Sequence, residues 1–115
     1  MIALMQRTIY LAGPMRGLPD HNYPAFDAAA RELRDAGHVV INPTELFDGD
    51  LTLTRADYMR GGLRALFDVN AIAMLPGWMN SPGAVLELTV ARALDLELLE
   101  YVAGVGVREL FGVDD

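Results

Sequence analysis

Cysteine is absent from all 115 residues of this chain. Without thiols the chain forms no disulfide, no thiolate metal site and no cysteine nucleophile. Histidine is also scarce, because His21 and His38 are the only two and no ligand spacing joins them. We therefore expect neither a bound metal nor a cofactor.

Long apolar runs and clustered cations are lacking as well. No apolar stretch approaches the roughly 18 residues needed to cross a bilayer, and residues 1–7 are too short and too weakly basic for a signal peptide. The nine Lys and Arg residues are scattered, and the formal net charge is −7. We therefore expect a cytoplasmic protein with neither a membrane nor a nucleic acid polymer as partner. The composition still allows a small anionic ligand to bind at one local site.

The remaining composition predicts one globular domain over residues 1–115, since 52% of the residues are hydrophobic and 22% are charged. Apolar runs predict four strands, and amphipathic segments between them predict helices. This alternation predicts a small α/β domain of flavodoxin or Rossmann type, with a parallel sheet of about four or five strands and helices on both faces. The predicted strands are 8–12, 38–42, 71–75 and 96–102, and the predicted helices are 25–36, 54–67 and 83 onward.

Two details of this prediction concern the ends of elements. Because Glu97 and Glu100 interrupt the fourth strand, we expect that strand to lie at an edge of the sheet. Residues 105–111 are expected to form a short final helix. In the second helix, the apolar spacing predicts that Met59, Leu63, Leu66 and Phe67 point inward.

Glu87 is the only charged residue between Asp68 and Arg92. Burying a lone carboxylate costs several kcal/mol unless another group compensates it. Helical spacing places Glu87 on the same face as the packing residues Ala84 and Ala91, so its side chain should point inward. It is either a working acid or a partly exposed glutamate favoured by the helix dipole.

Two other segments have unusual glycine and proline contents. Residues 13–24 hold two glycines and three prolines, which predicts a long loop directly after the first strand, where open α/β sheets bind ligands. Gly61 and Gly62 lie inside the second predicted helix without a capping role. Either another group approaches the backbone at Gly62 or a side chain has been lost there, and close helix packing is the simpler reading.

Four short motifs occur in an order that resembles the nucleoside 2-deoxyribosyltransferase-like family, in particular a short branch found in phages and bacteria. They are YLAGPMRG at 10–17, DHNYPAF at 20–26, LPGW at 75–78 and NSPGAVLEL at 80–88. The resemblance implies that Glu87 attacks C1′ of a nucleoside or nucleotide, expels the base and forms a glycosyl-enzyme ester. Water or a second base would then resolve this ester.

The resemblance also implies a substrate site. Arg16 and Ser81 match residues that hold a 5′-phosphate, and Tyr10 and Gly13 match residues that line the sugar site. We add His21, Asn22 and Trp78 as neighbours of the base, with stacking on Trp78. The predicted substrate-binding residues are Tyr10, Gly13, Pro14, Met15, Arg16, Gly17, Asp20, His21, Asn22, Trp78, Ser81 and Gly83.

The chain departs from the family pattern at one position that matters for catalysis. Relatives usually carry an aspartate that orients the nucleophile or protonates the leaving base, and Gly62 stands in its place. Asn70 likewise stands where an aspartate is common, so two carboxylates would be missing near Glu87. Asp57 and Asp20 are the candidates to replace them.

Three functions follow from these observations. The first is an enzyme that hydrolyses or transfers across the N-glycosidic bond of a nucleoside or nucleoside 5′-monophosphate. The second is a catalytically weakened protein that senses or sequesters nucleotides, and the third is an interaction protein with a vestigial pocket. The high apolar fraction, and relatives whose sites are completed by a neighbouring subunit, predict a homodimer or a dimer of dimers.

Overall fold

Five strands form a single sheet in the computed structural model, which describes residues 6–47 and 52–111. The strands are β1 (Thr8–Ala12), β2 (Val39–Ile41), β3 (Ala71–Met74), β4 (Glu97–Val102) and β5 (Gly106–Glu109). They lie in the order β2-β1-β3-β4-β5. The first four run parallel, and β5 pairs antiparallel with β4.

Helices cover both faces of this sheet, which confirms the expected α/β domain. Within the described residues they are α1 (Tyr23–Asp35), α2 (Arg55–Ala65) and α3 (Pro82–Ala93). Successive side chains of a strand point to opposite faces. On β1, Ile9 and Leu11 therefore join the core under α1, whereas Tyr10 and Ala12 join the core under α2 and α3. No helix in the described ranges is long and apolar enough to span a bilayer.

Local capping signals decide where α2 and α3 begin. The Thr54 hydroxyl accepts a hydrogen bond from the Asp57 amide (3.1 Å), and the Asp57 carboxylate accepts one from the Thr54 amide (3.0 Å). This reciprocal pair is a capping box, and it fits the sequence pattern of Thr54 followed three residues later by Asp57. The Ser81 hydroxyl caps α3 in a similar way by accepting a hydrogen bond from the Ala84 amide (3.2 Å).

The structure overturns two expectations about the end of the chain. The predicted helix at 105–111 is wrong, because these residues contain β5, which pairs with β4. The edge position predicted for β4 is wrong for the same reason, since β4 lies between β3 and β5. Its two acidic residues are accommodated by ion pairs with arginines, Glu97 with Arg7 (2.7 Å) and Glu100 with Arg108 (2.6 Å).

The inward orientation predicted for Phe67 is also wrong, because this side chain is 68% exposed. The α-helix ends at Ala65, and a short 3₁₀ helix, Leu66–Asp68, follows it. A 3₁₀ turn holds three residues rather than 3.6, so the angular spacing that predicted the buried face no longer applies. Leu66 remains fully buried.

The carboxyl ends of β1 and β3 lie side by side in the centre of the sheet. From β1 the chain continues to β2 on one side, and from β3 it continues to β4 on the other. The strand order thus reverses between β1 and β3. Open α/β sheets bind ligands in the crevice at such a point, so the topology selects one edge of the molecule for a site.

Gly13→Ala should destabilise the fold at this crevice. A Cβ at Gly13 would lie only 2.9 Å from the Cβ of Leu75, an atom fixed to the buried backbone after β3. We expect a loss of about 1–3 kcal/mol of unfolding free energy, the usual cost of overpacking, measured by urea denaturation.

Gly83→Ala is the matched control for this prediction. A Cβ at Gly83 would make an ordinary 3.6 Å contact with the sulfur of Met59, and alanine favours the helix. Equal stability of the Gly13→Ala variant and the wild type would contradict the close approach of the two segments.

Candidate functional site

A cavity of about 470 Å³ lies at the carboxyl ends of β1 and β3. The loop after β1 and the first turns of α2 and α3 form its walls. Nine of the residues predicted from sequence line it: Tyr10, Gly13, Pro14, Met15, Arg16, His21, Ser81, Gly83 and Glu87. Among the described residues, no three His, Asp or Glu side chains form a group suited to a metal ion.

Four other predicted residues, Gly17, Asp20, Asn22 and Trp78, are not part of the cavity lining. Asn22 instead braces the first loop, because its side-chain amide donates a hydrogen bond to the Pro14 carbonyl (2.9 Å). Trp78 packs against the core under α2 and α3. The structure therefore does not bring the Trp78 ring to the cavity, where a stacking contact with a base was predicted.

The sequence reasoning missed the wall formed by the start of α2. Leu53, Arg55, Tyr58 and Met59 line the cavity there, and Tyr23 lines it from the start of α1. In a parallel sheet each helix that follows a strand begins at the carboxyl edge. The capping box at Thr54 located the start of α2, so combining these two signals would have found these residues.

The first loop turns into α1 through an unusual backbone conformation. Asp20, His21 and Asn22 have φ values of 53°, 53° and 61°, in the left-handed region. That region costs a non-glycine residue roughly 1–2 kcal/mol. Hydrogen bonds from the His21 amide to the Leu18 carbonyl (3.0 Å) and from Asn22 to Pro14 hold the turn. The turn brings His21, but not its two neighbours, to the cavity.

Glu87 points into the cavity from the second turn of α3. Its Oε2 accepts a hydrogen bond of 2.5 Å from the hydroxyl of Tyr10, whose side chain on β1 is 1% exposed. Within the described residues no hydrogen bond to the other oxygen, Oε1, is present. The carboxylate is thus held by one oxygen, and the second one is available to a ligand.

Gly62 on α2 lies directly against this pair. A Cβ at Gly62 would lie 2.5 Å from the Tyr10 hydroxyl oxygen and 2.6 Å from Glu87 Oε2. Real Cβ atoms do not tolerate such distances, so a side chain at this position requires the pair to move. The close approach to the backbone, one of the two readings of this glycine, is what the structure shows.

Burial governs the protonation of both partners. It raises the pKa of Glu87 to about 7, because the carboxylate loses hydration, while the hydrogen bond from Tyr10 lowers this pKa in part. Burial, together with the adjacent Glu87 charge, raises the pKa of Tyr10 well above its ordinary value. Near neutral pH, Tyr10 is therefore a neutral donor and Glu87 exchanges its proton with the medium.

Asp57 and Asp20, the expected replacements for an aspartate at the position of Gly62, lie outside the cavity lining. Asp57 serves the capping box of α2, and neither Asp57 nor Asp20 lines the cavity. The expectation that Asn70 lies near Glu87 is wrong. Asn70 precedes β3, and its side chain accepts a hydrogen bond from the amide of Thr8 (3.0 Å) at the amino ends of the strands.

Glu87→Gln should change how stability depends on pH. The pKa of Glu87 is about 7 in the folded state against an ordinary value of 4.5, so the folded state holds the proton more tightly between these values. The wild type should therefore lose stability as the pH rises from about 4.5 to 7, by up to about 3 kcal/mol. Glutamine carries no charge and avoids this loss.

Urea unfolding at pH 5 and pH 8.5 measures this difference. The variant should gain stability relative to the wild type at the higher pH. Identical pH dependence of the two proteins would show that the pKa of Glu87 is not raised by folding.

Tyr10→Phe should raise the pKa of Glu87 above about 7, since the hydrogen bond that favours the carboxylate is removed. Carboxyl-carbon NMR titration of selectively labelled glutamate reports this pKa directly. A midpoint that stays at the wild-type value, or falls, would contradict the role of the hydroxyl.

Comparisons with known proteins agree with this architecture. No curated protein matches the chain. A solved structure of the 2-desoxiribosyltransferase from Leishmania mexicana matches with a TM-score of 0.63 and 20% identity, over 90% of this chain and 79% of that chain. At 20% identity this structural similarity shows the fold alone. The shared fold agrees with the family resemblance inferred from the sequence. A family model matches residues 7–100, and the chain therefore belongs to the family described as Domain of unknown function (DUF4406).

Proposed function

We propose that the protein hydrolyses or transfers across the N-glycosidic bond of a nucleoside or nucleoside 5′-monophosphate, with Glu87 as the nucleophile. The observation that carries this proposal is the orientation of Glu87. One of its oxygens is held by Tyr10 at 2.5 Å, and the side chain faces a cavity of about 470 Å³. We further propose that the chain belongs to the short phage and bacterial branch of deoxyribosyltransferase-like proteins.

The chemistry proposed for Glu87 is covalent catalysis by a carboxylate. Oε1 attacks C1′ of the sugar, the C1′–N bond breaks, and water or a second base later displaces the ester. The nucleophile must be ionised to attack. Since the pKa of Glu87 is about 7, the rate should rise with pH through this value as the carboxylate forms.

The cavity also suits the phosphate of a nucleotide. Arg16 and Ser81 both line it, and the first turn of α3 begins beside them at Pro82. A guanidinium binds phosphate through parallel donors, and the free amides of a helix start add further donors. The volume is within the usual range for small-molecule sites.

A second candidate function is nucleotide binding without fast turnover. The observation that favours it is Gly62, where the Tyr10 and Glu87 oxygens fill the space that a family aspartate would need. Loss of an orienting or proton-donating group typically slows a step by 10²- to 10⁴-fold. Such a protein would bind nucleotides tightly and release base slowly.

The oligomeric state is a separate proposal. We propose a homodimer or a dimer of dimers, supported by exposed apolar side chains close to the site. Met79, Val85 and Leu86 are 73%, 38% and 43% exposed on and just before α3. Light scattering at micromolar concentration should report a mass above that of the monomer.

The function is tested by chromatographic detection of free base from a panel of nucleosides and nucleoside 5′-monophosphates. We expect wild-type protein to release base, and Glu87→Gln to lose at least about 10³-fold of this activity, because no ester can form. Mass spectrometry of an acid-quenched reaction should find the sugar on the peptide that contains Glu87.

Glu109→Gln is the matched control, since it makes the same chemical change at an exposed residue of β5. It should release base at the wild-type rate. Undiminished release by Glu87→Gln would exclude Glu87 as the nucleophile. A rise in melting temperature with nucleotides, without any release, would favour the binding function.

A further inference from the structure

Whether an acid lies beside Glu87 determines which bases can leave the sugar. When the C1′–N bond breaks, the base takes the bonding electron pair. A neutral purine or pyrimidine accepts this pair readily only if an acid protonates it, and such general acids typically contribute 10²- to 10⁴-fold. A base whose ring already carries a positive charge leaves as a neutral molecule and needs no proton.

The hydroxyl of Tyr10 lies in direct contact with Glu87, but its proton is already engaged. It donates to Glu87 Oε2 at 2.5 Å, and its side chain is 1% exposed. A hydroxyl has a single proton to donate. While this hydrogen bond holds the nucleophile in place, Tyr10 offers no proton to a departing base.

The backbone next to this pair leaves no room for the side chain of another acid. A side chain on Gly62 would start 2.5 Å from the Tyr10 hydroxyl and 2.6 Å from Glu87 Oε2. An acid on this turn of α2 would therefore have to displace the hydrogen bond that holds the nucleophile.

Across the described part of the chain, Glu87 is the one carboxylate in the cavity lining, and the cations there are Arg16 and Arg55. His21 also lines the cavity, but it lies on the first loop rather than on the helices that flank Glu87.

Aromatic rings form part of the same lining. Tyr23, Phe26 and Tyr58 all border the cavity. Aromatic faces attract flat organic cations, and this attraction strengthens where water is excluded. The ionised form of Glu87 would add an opposite charge next to the sugar.

We propose that this site acts on nucleosides or nucleotides whose base is cationic at the ring attached to the sugar, such as N7-alkylated purines and pyridinium nucleotides. This inference rests on the proposed function, with Glu87 as nucleophile. Glu87 Oε1 forms a bond to C1′, and the C1′–N electron pair neutralises the ring, which leaves unprotonated. Water then attacks C1′, the ester electron pair returns to Glu87, and the water proton is released to solvent.

The test compares two substrates that differ by one methyl group, adenosine 5′-monophosphate and its N7-methyl derivative, in ribose and 2′-deoxyribose forms. Base release is measured near pH 7.5 with wild type, Glu87→Gln, His21→Gln and the Glu109→Gln control, after subtraction of the enzyme-free rate. We expect kcat/KM to favour the methylated substrate by about 10²- to 10⁴-fold. This release should be lost in Glu87→Gln and retained in Glu109→Gln.

A pyridinium substrate gives an independent readout. Cleavage of nicotinamide mononucleotide should rise with pH as Glu87 ionises and should stay level above pH 8, since no protonated group takes part. A rate that falls again at alkaline pH would indicate a required acid and would overturn the inference.

The remaining outcomes separate this inference from the proposed function. Equal rates for the two adenine nucleotides, with loss of only the unmethylated reaction in His21→Gln, would identify His21 as an acid and refute the substrate preference while the glycosyl chemistry stands. Failure to cleave any of the substrates, with no sugar found on Glu87, would refute the proposed function and this inference together.

Discussion

The hydrogen bond between Tyr10 and Glu87 is the constraint on which the site depends. It joins the central strand β1 to helix α3, across the bare backbone of Gly62 on α2. Each of the three elements makes a different contribution to this hydrogen bond. The strand brings a buried donor, the helix brings an acid, and the glycine leaves room for their oxygens to meet. A side chain added at Gly62 would require the carboxylate to move, because its Cβ would lie 2.6 Å from Glu87 Oε2.

The same arrangement costs stability. Glu87 sits where burial raises its pKa to about 7, so its ionised form is disfavoured in the folded state. Domains of this size are stable by only about 5–15 kcal/mol, and a penalty of up to about 3 kcal/mol is a large share of that margin. Left-handed residues in the first loop add strain at the same edge of the sheet. Proteins concentrate such costs at functional sites, and here both costs adjoin one cavity.

Much of the fold was predictable from local patterns. The strand at Thr8–Ala12, the capping box at Thr54 and the inward face of α3 follow from hydrophobic period and helix-end chemistry, which involve residues close in sequence. The errors near the end of the chain occur where distant partners decide the outcome. The helix expected at 105–111 fails because the hydrogen bonds of β5 are made to β4. The inward orientation expected for Phe67 fails for a local reason, since the 3₁₀ turn after Ala65 shifts the spacing of the side chains.

The sequence by itself singled out one acid, Glu87, as the only charge between Asp68 and Arg92, and helical spacing with Ala84 and Ala91 predicted that it would face inward. It also determined that Gly62 was anomalous inside a helix, without deciding why. Only the tertiary structure decided that Tyr10 is the partner of Glu87, that α2 forms a wall of the cavity, and that Trp78 packs against the core instead of lining the cavity. These outcomes depend on contacts between segments far apart in the chain, and hydrophobic periodicity carries no information about which segments meet.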